Sequence, residues 1–119
     1  MEERICLVVD DDPAIRNYLK AVLGCHGWEC LEAGTASEAQ RVVENLRGDL
    51  HLVLTDVDMP GEMDGIGLAQ WVRAIYPAIP VIVVSGSGEV VPKEFPLVSK
   101  PCKPETLIRV VECSWRKAS

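Results

Sequence analysis

Apolar residues gather along the chain in five short runs, at 5–9, 29–33, 52–55, 81–84 and 97–99. Each is too short for a stable helix and rich in branched side chains, so each predicts a strand. Between them the apolar positions change to helical spacing: Ile15, Tyr18, Leu19, Val22 and Leu23, then Ala39, Val42, Val43 and Leu46, then Leu68, Ala69, Val72 and Ile75. A last helix carries Leu107, Val110 and Val111. Helix starts are marked too. Asp12 before Pro13 suits an N-cap followed by a first-turn proline, and Thr35-Ala36-Ser37-Glu38 fits a capping box. Strand and helix alternate throughout, which predicts a doubly wound α/β sandwich with a parallel sheet.

Length and composition fit that picture. A chain of 119 residues, 48% hydrophobic and 25% charged, suits one compact domain over 1–119, with no room for a second, output domain. The longest apolar runs fall far short of a membrane span, and no leader peptide is evident. A cytoplasmic protein without membrane contact is expected. The net charge of −6, from 18 acidic and 12 basic residues, repels phosphate backbones and makes nucleic acid a poor partner. Five scattered cysteines, with no C-x-x-C pair, signal neither a disulfide framework nor a zinc site, and read as small buried hydrophobes.

In a doubly wound sheet, ligands bind beyond the carboxyl ends of the strands. The first run ends in Asp10-Asp11-Asp12, the third in Asp56, the fourth in Ser85 and the fifth in Lys100-Pro101. Carboxylates, a hydroxyl and an ammonium would therefore meet on one edge. Packing Asp10, Asp11 and Asp56 together carries repulsion and desolvation that a hard divalent cation would offset, which implies a Mg²⁺ site. Asp12 and Asp64 read instead as helix N-caps. Taken singly, Ser85 or Lys100 would be an ordinary surface residue; their joint placement gives them functional meaning.

The segments Leu7-Val8-Val9-Asp10-Asp11-Asp12, Leu54-Thr55-Asp56-Val57-Asp58-Met59-Pro60-Gly61, Met63-Asp64-Gly65, Val81-Ile82-Val83-Val84-Ser85-Gly86 and Ser99-Lys100-Pro101 resemble the receiver domain of two-component response regulators. The resemblance spans essentially the whole chain and implies a flavodoxin-like, chemotaxis-regulator-like sheet of order 2-1-3-4-5. It makes Asp56 the phosphoacceptor, with Asp10, Asp11, Asp56 and the Asp58 backbone carbonyl holding Mg²⁺. Ser85 would hydrogen-bond a phosphoryl oxygen, Lys100 would neutralise its charge, and the Lys100-Pro101 bond would be cis. The implied partner is a sensor histidine kinase or a phosphotransfer protein. A monomer or weak dimer is expected, with at most slow self-phosphorylation and self-dephosphorylation and no classical enzymatic turnover.

Three departures from the family pattern stand out. Leu97 occupies the place of an aromatic switch residue. Only 14 residues separate Ser85 from Lys100, and two prolines and two glycines within 86–96 predict that the usual helix there is short or absent. Gly61-Glu62-Met63 adds one residue to the loop before Asp64. A signal read out by ordering of 86–96, exposing or hiding Val90, Val91 and Phe95, is the expected consequence. Two other functions compete. Asp56-Val57-Asp58 after an apolar strand also resembles the nucleophile motif of haloacid-dehalogenase-type phosphatases, and a receiver scaffold can serve as a phosphorylation-independent interaction module.

Overall fold

The computed structural model describes residues 3–86 and 89–118. Among the described residues ten elements follow one another: β1 (Ile5–Val9), α1 (Pro13–Gly24), β2 (Glu29–Ala33), α2 (Ala36–Leu46), a 3₁₀ turn (Arg47–Asp49), β3 (Leu52–Asp56), α3 (Gly65–Ile75), β4 (Val81–Ser85), β5 (Leu97–Ser99) and α4 (Pro104–Ala118). The five strands form one parallel sheet in the order β2-β1-β3-β4-β5. The reversal beside β1 is the switch point at which such sheets open a crevice.

The three central strands, β1, β3 and β4, are buried at every position, which explains their unbroken apolar runs. Alternate side chains serve opposite faces. Ile5, Leu7 and Val9 pack with Ala39 and Val43 of α2 and Leu68 and Val72 of α3. Cys6 and Val8 pack with Leu19 and Leu23 of α1 and Leu107 and Val111 of α4. The edge strands β2 and β5 are only partly covered, and β2 carries Glu29 and Glu32.

The predicted caps are in place. Asp12 accepts from the Ala14 N–H, Thr35 Oγ1 from the Glu38 N–H, and Asp64 from the Gly67 N–H. The Glu38 carboxylate reaches back to the Gly34 N–H, one residue before the cap. Two strands run one residue further than their apolar runs suggest. The ladder continues through Asp56, opposite Val84, and through Ser85, opposite Ser99. Backbone pairing, indifferent to side-chain polarity, thus fixes both residues in the sheet.

Between β4 and β5 the described residues contain no helix, only a turn in which Phe95 donates its N–H to the Pro92 carbonyl. Ser87 and Gly88 of this predicted loop lie outside the described residues. Its described part, residues 89–96, is better anchored than its proline content suggests. Phe95 is buried in the core and Val91 packs against the same cluster, whereas Val90 is 89% exposed. The Arg73 guanidinium lies 5.9 Å from the Phe95 ring centre. Leu97 is 46% exposed at the start of β5. The added residue before Asp64 sits in an irregular loop whose Gly61 takes φ +105°, a conformation glycine adopts freely.

The cysteines meet the expectation of burial only in part. Cys6 is buried, Cys30 and Cys102 are half-buried, and Cys25 and Cys113 are exposed. Cys25 falls just after α1 and Cys113 on the outer side of α4, where neither helix needs an apolar side chain.

Candidate functional site

The carboxyl edge of the sheet collects the predicted residues. Asp10 follows β1 directly and is held as a sheet extension by its N–H bond to the Ala33 carbonyl. Its Oδ1 accepts the Asp12 N–H at 2.9 Å, and its main-chain carbonyl accepts from Arg16 Nη1 at 2.6 Å. Arg16 is in turn braced by Glu32 on β2. This Arg16 contact escaped the sequence reading. Its only trace there is a basic residue in the first turn of the helix that begins at Pro13.

Asp56 ends β3 and is nearly buried. The chain beyond it turns tightly enough for the Gly65 N–H to bond the Val57 carbonyl at 2.9 Å. Ser85 ends β4, and its carbonyl accepts the Lys100 N–H at 2.8 Å, so strand pairing brings the fourth and fifth run ends together. The Lys100-Pro101 bond is cis.

One carboxylate oxygen from each of Asp10, Asp11 and Asp56 falls within 4.8 Å of the others. Asp10 and Asp56 are buried and Asp11 is exposed, so the cluster has a solvent side. Lys100 Nζ stands 3.0 Å from Asp56 Oδ1 and 3.3 Å from Asp10 Oδ2. Burial raises the pKa of Asp56; the Lys100 ion pair opposes this, while the charges of Asp10 and Glu89 add to the rise. For Lys100 burial works to lower the pKa, but the bonds and charges of Asp56 and Asp10 outweigh it and leave the ammonium held above its ordinary value. Asp58 is exposed in the loop just beyond β3.

Ser85 is turned toward a residue that sequence reasoning did not single out. Its Oγ lies 2.9 Å from Glu89 Oε1 and 2.9 Å from the Gly86 carbonyl, and the same Glu89 oxygen accepts the Gly86 N–H at 2.8 Å. Glu89 was hidden in a stretch read as loop. A carboxylate four residues past the strand end is its only sequence signal.

The fold is thus a doubly wound parallel sheet that gathers carboxylates, a hydroxyl and an ammonium at its switch-point edge. The family model for the response regulator receiver domain matches residues 6–112, and the chain belongs to that family. It is 35% identical to the DNA-binding response regulator MtrA of Mycolicibacterium smegmatis, over 98% of this chain and 52% of that protein. It is 34% identical to the transcriptional regulatory protein AruR of Pseudomonas aeruginosa, over 86% of this chain and 45% of that protein. The chain thus spans about half the length of these two relatives. Among solved structures, the receiver domain of NtrX from Brucella abortus superposes with a TM-score of 0.83 at 28% identity, covering 93% of this chain and 98% of that one.

Proposed function

We propose that the chain accepts a phosphoryl group on Asp56 and passes the signal on through the conformation of its carboxyl edge. One observation carries the reading: a nearly buried strand-end carboxylate is ion-paired to Lys100 and clustered with Asp10 and Asp11. The donor set fits a hard divalent cation, because it consists of oxygen ligands, carries excess negative charge and opens to solvent at Asp11. Asp10, Asp11, Asp56 and the Asp58 carbonyl would hold Mg²⁺. Bound there, the ion supplies charge neutralisation for the transferring phosphoryl oxygens.

In the transfer, an Asp56 carboxylate oxygen forms a bond to phosphorus. The bond from phosphorus to its donor breaks, and the electron pair leaves with the donor: a histidine imidazole nitrogen of a sensor kinase or phosphotransfer protein, or the carboxylate oxygen of a small acyl phosphate. In this reading Lys100, 3.0 Å from Asp56 Oδ1, follows the negative charge from the Asp56 carboxylate to the phosphoryl oxygens. Ser85 is the hydroxyl donor one strand away. Kinship to response regulators supports the kinase as partner.

The test is incubation with acetyl phosphate, with and without Mg²⁺, followed by intact mass measurement. One added phosphoryl group is expected, dependent on Mg²⁺ and absent in Asp56→Asn. Label that persists in this variant would mean another residue is the acceptor. Multiple-turnover hydrolysis of phosphomonoesters would favour the phosphatase reading, and no transfer at all the phosphorylation-independent module.

A further inference from the structure

The contacts of Glu89 go beyond acceptance of phosphate. Its carboxylate oxygen Oε1 takes two donors at once, the Ser85 hydroxyl at 2.9 Å and the Gly86 backbone N–H at 2.8 Å. An O–H and an adjacent N–H converging on one anionic oxygen is the arrangement that would bind a phosphoryl oxygen. Ser85 itself is buried, and it ends the strand next to Asp56. It has a single proton to give. While that proton is donated to Glu89, or to the Gly86 carbonyl that also lies 2.9 Å away, the hydroxyl can offer only lone pairs to an anion on Asp56.

Charge points the same way. Asp10, Asp11 and Asp56 already crowd this edge. Glu89 is near enough for its charge to be felt at Asp56. A phosphoryl group would bring further negative charge to the same donors, and two anions in close contact in a partly desolvated site repel strongly.

We propose that Glu89 is an internal competitor for the phosphoryl-binding donors, holding Ser85 and Gly86 in the unphosphorylated state and yielding them when Asp56 is phosphorylated. Engagement of Glu89 and engagement of the phosphoryl group by these donors are mutually exclusive. Glu89 is therefore a positioning residue that acts through Ser85: it restrains phosphorylation, and its release carries the signal into the segment that replaces a helix. The inference rests on Asp56 as acceptor and adds a residue that sets how readily that acceptor is filled.

The experiment compares wild type, Glu89→Ala and Glu89→Gln. The rate of labelling by acetyl phosphate with Mg²⁺ and the affinity for beryllium fluoride with Mg²⁺ are measured, alongside exchange of the Gly86 amide in the unliganded protein. Glu89→Ala is expected to label about tenfold faster and to bind beryllium fluoride correspondingly tighter, since a charge-assisted hydrogen bond no longer competes. Glu89→Gln, which keeps an acceptor oxygen without the charge, should fall between. Gly86 amide exchange should quicken in Glu89→Ala before any phosphate is added. Unchanged or slower labelling in Glu89→Ala, with wild type still labelled on Asp56, overturns the competitor role and leaves the acceptor assignment standing. Labelling of neither protein overturns both.

Discussion

Gly65 lies against the backbone of Asp56 so closely that a Cβ built on it would come within 1.6 Å of the Asp56 carbonyl oxygen and 2.6 Å of its carbonyl carbon. Backbone cannot swing aside as a flexible side chain can. The loop between β3 and α3 closes only because position 65 has no side chain, and the N-terminus of α3 is thereby seated beneath Asp56. Gly65→Ala should destabilise the protein by about 2 kcal/mol, as overpacking of a filled site does. Urea unfolding checks it, and an unchanged midpoint would mean that the approach is looser than described.

Asp11 and Asp12 should separate cleanly. Asp12 caps α1, so Asp12→Ala should lower stability by about 1 kcal/mol while Mg²⁺ affinity stays close to wild type. Asp11 is exposed and belongs to the carboxylate cluster, so Asp11→Ala should weaken Mg²⁺ binding sharply with little effect on unfolding. Mg²⁺ titration and urea melts on the two variants give the answer. Equal loss of affinity in both would show that the ion is held elsewhere.

Ionised Asp56 should destabilise the metal-free protein. Burial holds its pKa above the ordinary carboxylate range despite Lys100, so the folded state binds this proton more tightly than the unfolded state does. By linkage, its contribution to stability is full below the ordinary aspartate pKa and is lost as pH rises through the raised value. Asp56→Asn should therefore unfold at higher urea than wild type at neutral pH without Mg²⁺, and the difference should shrink as pH falls toward the carboxylate range. Lower stability of the variant at neutral pH would show that the Lys100 pair outweighs burial.

The legibility of this chain divides along physical lines. Cys6 to Val9, Leu52 to Leu54 and Val81 to Val84 are buried on both sheet faces, so their apolar character announced the central strands directly. Asp10, Asp56, Ser85 and Lys100 were readable because strand ends are places where a polar residue interrupts an apolar run. What stayed hidden depended on direction rather than on pattern. Neither the Arg16 bond to the Asp10 carbonyl nor the Glu89 bonds to Ser85 and Gly86 leave a periodic trace, and the burial of Phe95 lies in a segment with no period at all.

The cysteines offer a check on burial that no site chemistry enters. Burial pushes the Cys30 thiol up to about 11 and raises the Cys6 thiol well above its ordinary range, while Cys25 and Cys113 are exposed. Since the thiolate is the reactive form, iodoacetamide at neutral pH should modify Cys25 and Cys113 first and leave Cys6 and Cys30 unmodified until unfolding. Peptide mapping over time reads the order. Early loss of Cys6 would show that β1 is accessible in the native state.

Arg4, just ahead of β1, has its guanidinium 5.8 Å from the ring centre of Trp28 and 4.4 Å from that of Trp115, while it pairs with Glu112 at 2.9 Å. The two indoles meet edge to face, 6.0 Å between centres. Trp28 precedes β2 and Trp115 belongs to the last turn of α4, so this cluster sits at the amino edge of the sheet, across the strands from Asp56. With the third indole, Trp71 of α3, replaced by Phe, the fluorescence of these two should report whether α4 is docked on the sheet. It is a gauge of folding, and a dye or isotope label near Ser85 is what an occupancy assay on this domain requires.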